Sequence, residues 1–319
     1  MNKLSHEPII GIDVSRDWLD IHCLPTDQRL RLPNTDAGHE QLIQIACQSH
    51  ARVCFEATGG QEWRLWAALD AAGIAARQLP PAQIKAFAAS RGTRAKTDRI
   101  DAELIARFMA FRPDAGRCLP GQNLRHLRAL TSKRRQLVET RKRLLAQIKA
   151  HGKLGTAQMF ATMDSDLKAL LDQQITQIES QIEQIIAADA SLAETARILR
   201  SVPGIGPVAS TMLIAELPEL GQITGEQAAA LTGLAPIAHD SGALRGKRAI
   251  GGGRRQLRHV LFQAALVAAH HNPVLKTFAD RLRKAGKPHK LIVTAVARKL
   301  VTIANALCRS GQSWKYQPA

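Results

Sequence analysis

The apolar periodicity changes character near residue 112, and that change constrains the fold more than any other feature of the chain. Before it, β-branched and aromatic runs alternate with amphipathic stretches. Ile9, Ile10, Ile12 and Val14 read as a buried strand, a turn leads to a second strand through Ile21 to Leu24, and ARVCFE reads as a further short strand closed by Glu56. Ala57-Thr58-Gly59-Gly60 breaks that strand and leads to a helix around residues 63–72. The stretch AKTDRIDAELIARF predicts another helix, with Thr97 as N-cap and Ile100, Leu104, Ile105 and Phe108 on its apolar face.

Beyond the linker Arg112-Pro113-Asp114-Ala115-Gly116, residues 122–150 and 166–188 are long helical patterns with few breakers. In the second, Ile175, Ile178, Ile182 and Ile185 recur at spacings of 3, 4 and 3, a coiled-coil seam that suits an intramolecular hairpin and a dimer stalk equally. The pattern predicts an α/β plus α chain in three regions: α/β over 1–112, a helical, coiled-coil linker over 113–195, and a mostly helical C-terminal region over 196–319. At 319 residues the chain is long enough for two domains, each burying its own core.

Four carboxylates fall where a small α/β domain would place metal ligands: Asp13, Glu56, Asp98 and Asp101. Asp13 occupies a strand interior, where a charge is costly unless it is paired or binds a cation. Glu56 ends a strand, and Asp98 and Asp101, three residues apart, share one helix face. Hard divalent ions take oxygen ligands, and two of them about 4 Å apart can stabilise the attacking and leaving oxygens at phosphorus. The expected cofactor is therefore Mg2+, in a two-metal site where Mn2+ can substitute. Taken singly, Asp98 and Asp101 also suit a solvated first helical turn, and Glu56 a turn position.

Charge points to a polyanionic partner. Lys and Arg total 44 against 27 Asp and Glu, a net charge of +17. From Arg117 to Lys153 Glu139 is the only acid among a series that includes Arg134, Arg135, Arg141 and Arg143, and from Arg245 to Lys299 Asp280 is the only acid. The intervening segment, residues 164–194, is acidic. Such segregation predicts two nucleic-acid faces rather than an evenly basic surface. Aromatic residues are scarce, so base stacking is not expected to dominate. The five cysteines show no paired spacing, as expected of free thiols in a reducing compartment. The start MNKLSHEP has no apolar signal core and no uninterrupted apolar run approaches membrane-spanning length, so no membrane partner is expected and the expected location is the bacterial cytoplasm or nucleoid.

Ser201-Val202-Pro203-Gly204-Ile205-Gly206-Pro207, between two helical patterns, resembles the hairpin of a helix-hairpin-helix element. There Gly204 and Gly206 would allow close backbone approach, and free N–H groups would hold a phosphate; a tight interhelical turn without ligand is the plainer alternative. Ser241 lies in Asp240-Ser241-Gly242, on a loop rich in glycine and arginine. A lone exposed serine is ordinarily polar surface, yet Arg245, Lys247, Arg248, Arg254 and Arg255 are placed to offset charge on a pentacoordinate phosphate. His239 and His259 are candidate bases.

GIDVS, FEATGG and AKTDRIDA, together with the long stretch from GLAPIAHDSGALRGKRAIGGGRR to the C-terminal helices, resemble the insertion sequence 110/1111 family of transposases over nearly the whole chain. The resemblance implies an N-terminal RuvC-like, RNase H-like DEDD domain, a helical middle and a C-terminal transposase domain with a catalytic serine. It maps the acidic quartet to Asp13, Glu56, Asp98 and Asp101 and the nucleophile to Ser241. It implies a recombinase that cuts and rejoins double-stranded donor and target DNA through a phosphoserine intermediate, is guided by a bridge RNA, and works as a homo-oligomer, dimer or tetramer. Gln61-Glu62-Trp63 departs from the family pattern, which has an aromatic residue directly after the Gly pair. The residues by themselves also admit a hydrolytic RuvC-like junction nuclease or a non-catalytic DNA-organising protein.

Overall fold

A computed structural model describes residues 7–92, 98–238, 240–241, 244–246 and 248–316, with the side chains at 98–100 and 244–245 outside the description. The chain forms two compact units, Met1–Pro120 and Gly121–Ala319.

In the first unit β1 (Ile9–Val14), β2 (Trp18–Leu24) and β3 (Gln28–Pro33) form an antiparallel meander. Helix α1 (Asp36–Ser49) then crosses to β4 (Arg52–Glu56), and α2 (Trp63–Ala71) to β5 (Ala76–Leu79). Both β4 and β5 run parallel to β1, which is why each needs a helical crossover. The sheet order is β3-β2-β1-β4-β5, so the β-branched run Ile9–Val14 lies at its centre, buried on both faces. Ile10, Ile12, Val53 and Phe55 pack with Leu65 and Trp66 on one face. Ile9, Cys54 and Leu79 pack on the other against residues of α3 (Pro81–Ser90) and α4 (Asp98–Phe111), among them Ile84, Ile105 and Met109.

Gly11 explains how closely α4 lies on the sheet: a Cβ there would stand 2.5 Å from both the carbonyl oxygen of Ala102 and the amide nitrogen of Ala106. The apolar pattern does not announce β3 and β5. The first is largely polar and at the sheet edge, and the second has only four residues. Thr97, the expected cap of α4, lies outside the described residues.

The second unit opens with a hairpin of α5 (Gln122–Leu154) and α6 (Ala157–Ala188) and continues through α7 (Ala190–Arg200), α8 (Pro207–Glu216) and α9 (Gly225–Leu231). Four two-residue strands follow: β6 (Pro236–Ile237), β7 (Asp240–Ser241), β8 (Leu244–Arg245) and β9 (Ala249–Ile250). They pair as β6 with β9 and β7 with β8, and α10 (Arg255–His271), α11 (Pro273–Lys284) and α12 (His289–Ser310) complete the unit.

Where the sequence divides the chain in three, the middle helices share a core with the C-terminal region. Leu127, Ile182 and Ile186 are buried with Leu199, Leu213, Leu261 and Leu300, so the hairpin root is part of that unit. The isoleucine seam is satisfied within the chain: Leu137 and Leu144 of α5 are buried with Leu171 and Ile175 of α6, and Ile178 packs beside them. By length and composition alone α12 could cross a membrane, although Lys290, Arg298, Lys299 and Arg309 interrupt its apolar residues, as expected from the sequence. Its apolar side is instead spent on the core, where Ile292, Val293, Val296, Leu300 and Val301 are buried. Burying each such side chain contributes about 1.5–3 kcal/mol before entropy is counted.

Candidate active site

The strand register and the helix packing set Asp13, Glu56 and Asp101 toward one end of the same sheet face. Gly11 and Cys54 are cross-strand partners, and both face α4: Gly11 through the close approach to Ala102 and Ala106, Cys54 by donating its thiol hydrogen toward the Ile105 carbonyl at 3.8 Å. Burial also pushes the Cys54 thiol pKa up, so it acts as a packed apolar group rather than a nucleophile. Side chains alternate along a strand, so Asp13 and Glu56, two residues further on, lie on this same face at the ends of neighbouring parallel strands.

Helix α4 runs opposite to β1. Its Arg107 reaches Asp27, beyond the start of β1, at 3.4 Å, while Glu103 reaches Arg29, at the level of Gly11, at 2.7 Å. The N-terminal turn of α4, with Asp98 and Asp101, therefore lies toward the end of β1 that carries Asp13. Asp101 is one turn from Ile105, on the sheet-facing side, and half-buried; the Asp98 side chain lies outside the description.

Placement and donor chemistry thus fit a divalent cation held by carboxylates. The side chains themselves are not gathered for it: among the described residues no group of three or more His, Cys, Asp or Glu could hold a metal ion.

A further carboxylate on this face was missed in the sequence. Asp20 is the direct cross-strand partner of Asp13, 5% exposed, and paired with Arg31 at 3.3 Å. The signal was the alternation Asp20-Ile21-His22, which sets both polar side chains on the α4 face of a strand read only for its apolar residues. His22 is buried there too, and desolvation lowers its pKa.

In the second unit Ser241 is exposed, on β7 rather than an irregular loop, with β8 as its partner strand. Asp240 accepts hydrogen bonds from the Arg248 guanidinium at 2.7 Å and the Gly246 amide at 3.2 Å, and the first of these holds its carboxyl below the usual range. One of the arginines expected to serve a phosphate is thus engaged beside the serine, and Arg254 forms a bidentate pair with Glu219 at 2.6 and 2.8 Å. Arg255 opens α10. His239, Lys247 and the side chain of Arg245 lie outside the described residues.

A short turn joins α7 and α8 where the motif stands, and its two glycines differ. Gly204 (φ 106°) approaches α10: a Cβ there would meet the Ala268 Cα at 2.8 Å and nitrogen at 2.9 Å. Its close approach serves helix packing. Gly206, the N-cap of α8, has open space where a Cβ would be. Both line a cleft of about 1400 Å³ together with Arg134, Arg135, Arg143 and His259, so the structure draws several of the expected nucleic-acid residues into one place.

Their charges are not equally available. Arg134 pairs with Glu179 at 2.6 Å and Arg141 with Asp172 at 2.7 Å, across the α5–α6 hairpin. Arg143 has only a 3.9 Å contact to Glu139, and Arg135 is exposed with no ion pair among the described residues. Replacing Arg135 and Arg143 together by Ala is expected to flatten the dependence of log affinity for DNA on log salt by about 0.7–0.9 for each phosphate that is no longer neutralised. Replacing Arg134 and Arg141 should change the slope less and instead weaken the hairpin by about 0.2–1 kcal/mol per pair. Salt titrations of binding, with denaturant melts of each variant, check this; equal slopes for both pairs would contradict it.

Two family models match the chain: one described as "Transposase" over residues 10–153, and "Transposase IS116/IS110/IS902 family" over residues 196–280. The Pilin gene-inverting protein of Moraxella bovis is 29% identical over 317 residues, covering 95% of this chain and 96% of the relative. That of Moraxella lacunata is 29% identical over 318 residues, again 95% and 96%. The Insertion element IS110 uncharacterized 43.6 kDa protein of Streptomyces coelicolor is 29% identical over 152 residues, 47% of this chain and 36% of that protein. The first model takes in Asp13, Glu56, Asp98 and Asp101, and the second takes in the hairpin and Ser241. With both parts matched, the chain belongs to the insertion sequence 110 family of transposases.

Proposed function

We propose that this transposase cuts and rejoins DNA through a covalent bond to Ser241, with Asp13, Glu56, Asp98 and Asp101 holding Mg2+ and a bridge RNA selecting the DNA. Family membership carries the coarser activity, cleavage and rejoining of DNA strands. The observation that carries the finer reading is the placement of Asp13, Glu56 and Asp101 at one end of a single sheet face. Bound Mg2+ would neutralise charge on the phosphate oxygens.

In this reading the Ser241 Oγ attacks phosphorus and gives up its proton. The bond from phosphorus to one bridging oxygen breaks, and that oxygen takes a proton and leaves as a strand-end hydroxyl. The phosphoserine ester keeps the energy of the broken phosphodiester, so attack by another strand's hydroxyl reseals DNA and frees the serine. The name of the Moraxella relatives, gene-inverting, describes an outcome that requires cut strands to be resealed. Arg248, held beside Ser241 by Asp240, would offset charge that builds on the phosphate.

The acids and Ser241 belong to different compact units, and in this reading the protein acts as a homo-oligomer in the cytoplasm. Met159, Met163, Leu167 and Leu170, at spacings of 4, 4 and 3 on α6, are exposed, which suits association of copies.

Ser241→Ala tests the reading. With a nicked, trapping DNA substrate the parent protein should yield a denaturation-resistant protein–DNA adduct that maps to the peptide containing Asp240-Ser241-Gly242. Ser241→Ala should yield neither adduct nor recombinant product while still binding DNA, because phosphate contacts dominate affinity. Cutting at the parent's rate by Ser241→Ala, with no adduct in either protein, would establish hydrolysis by water instead.

A further inference from the structure

Glu62 is the most enclosed carboxylate of the first unit among the described residues, 2% exposed. Its partners are all donors. Oε2 accepts from the Thr58 amide at 3.3 Å, the Thr58 hydroxyl at 2.9 Å and the Gly60 amide at 3.0 Å. Oε1 accepts from the Gln78 side-chain amide at 2.6 Å. Gln78, itself buried on β5, uses its own oxygen to accept from Arg117 Nε at 2.6 Å. The Gln78 and Arg117 backbones also bond each other in both directions, at 2.9 and 3.0 Å. A positive charge is thus linked to Glu62 through one amide, which offsets the cost of burying the carboxylate.

The segment Glu62 holds is the one that leaves Glu56. Ala57 still bonds β5, donating to the Leu79 carbonyl at 3.3 Å, after which Gly59 (φ 76°) and Gly60 (φ 117°) turn the chain back toward α2. Both glycines adopt backbone angles costly for other residues, and such a turn keeps a single geometry only where its surroundings over-determine it. Here the surroundings are one carboxylate receiving three donors from Thr58 and Gly60. A carboxylate offers only acceptors, so neither an amide nor a hydroxyl in its place could serve every partner.

We infer that Glu62 is a positioning residue for the acidic site: it locks the Thr58–Gly60 turn and thereby fixes Glu56 at the end of β4. This rests on the reading of Glu56 as a member of that site, and Glu62 acts through the turn rather than by touching the reacting atoms.

The test compares Glu62→Gln, the double variant Glu62→Gln with Gln78→Glu, Thr58→Val and Glu56→Gln. The double variant exchanges the amide and the carboxylate, so every donor keeps an acceptor: the amide at position 62 would accept from the turn and donate to the carboxylate at position 78, which would accept from Arg117. The first readout is amide hydrogen exchange of residues 58–60 in metal-free protein; the second is the Mg2+ concentration giving half-maximal DNA cleavage. Glu62→Gln should accelerate exchange in the turn and raise the Mg2+ midpoint by about 10–100-fold, the range for removal of a partner that orients a metal ligand. Affinity for DNA should stay unchanged, and the double variant should restore both readouts.

Thr58→Val, which removes only the hydroxyl donor, should shift both in the same direction by less, and it keeps the test open if Glu62→Gln does not fold. Faster exchange with an unmoved Mg2+ midpoint would mean Glu62 is merely structural and would overturn the inference, as would failure of the double variant to recover. If Glu56→Gln cleaves normally, the acidic-site reading itself fails. If Glu56→Gln is inactive while Glu62→Gln matches the parent, only the role given to Glu62 falls.

Discussion

Asp13→Asn is expected to abolish DNA strand cleavage in Mg2+ while leaving DNA binding largely intact. Asp13 sits at the end of the central strand, beside Glu56 and on the face against which the first turn of α4 packs. Loss of a group that merely orients a metal ligand costs roughly 10–100-fold, so loss of a ligand should cost more. The substitution keeps the side chain's shape and removes one of two carboxylates that face each other across β1 and β2, Asp13 and Asp20. The change is isosteric and Asp20 keeps its own partner, Arg31, so the thermal midpoint should stay within a few degrees of the parent's as activity disappears. That pairing of lost activity with undiminished stability separates a functional acid from a structural one. Single-turnover cleavage assays beside thermal melts read both, and parental cleavage rates from Asp13→Asn would remove the acidic site from the proposal.

The largest effect on stability is expected at Gly204. Gly204→Ala would hold an L side chain at φ 106° and drive its Cβ to within 2.8 Å of the Ala268 Cα, so backbone of α7–α8 or of α10 must move. Strain at such a dihedral costs of order 1–3 kcal/mol and overpacking typically another 1–3, which together predict a loss of about 2–6 kcal/mol from the second unit. Gly206→Ala is the control, because its Cβ would enter open space and φ is already negative, −87°. It should cost less than about 1 kcal/mol, the ordinary penalty for Ala at an N-cap. Denaturant midpoints at a common m-value check the pair. Equal and small losses would mean α10 does not constrain the hairpin.

The contrast between these glycines shows what could be read from the chain alone. Both stand in one motif, and the motif announces a break between two helices; only the packed structure shows that Gly204 is needed by α10 while Gly206 faces open space. The arginines of α5 behave alike. Their one-sided charge is plain in the sequence, yet Glu179 and Asp172 lie more than thirty residues away and meet Arg134 and Arg141 only because α6 folds back on α5.

What the sequence by itself determined is local in origin. The strand at Ile9–Val14, the interrupted strand end at Glu56 and the long helices follow from periodicity and backbone preferences over a few residues, whereas Asp13, read as a strand-interior acid, stands next to the end of its strand. The family followed from short motifs of the same kind, GIDVS, FEATGG and AKTDRIDA. Tertiary structure decided the register that sets Asp20 opposite Asp13, the union of the middle helices with the C-terminal core, and the closure of the coiled-coil seam within one chain. It also decided that Glu62, whose sequence neighbours suggest an ordinary exposed helix start, is buried under four donors, one of them from a strand sixteen residues on. Each of these depends on which faces are pressed together when apolar surface leaves water, and that is a property of the assembled layers rather than of any one segment.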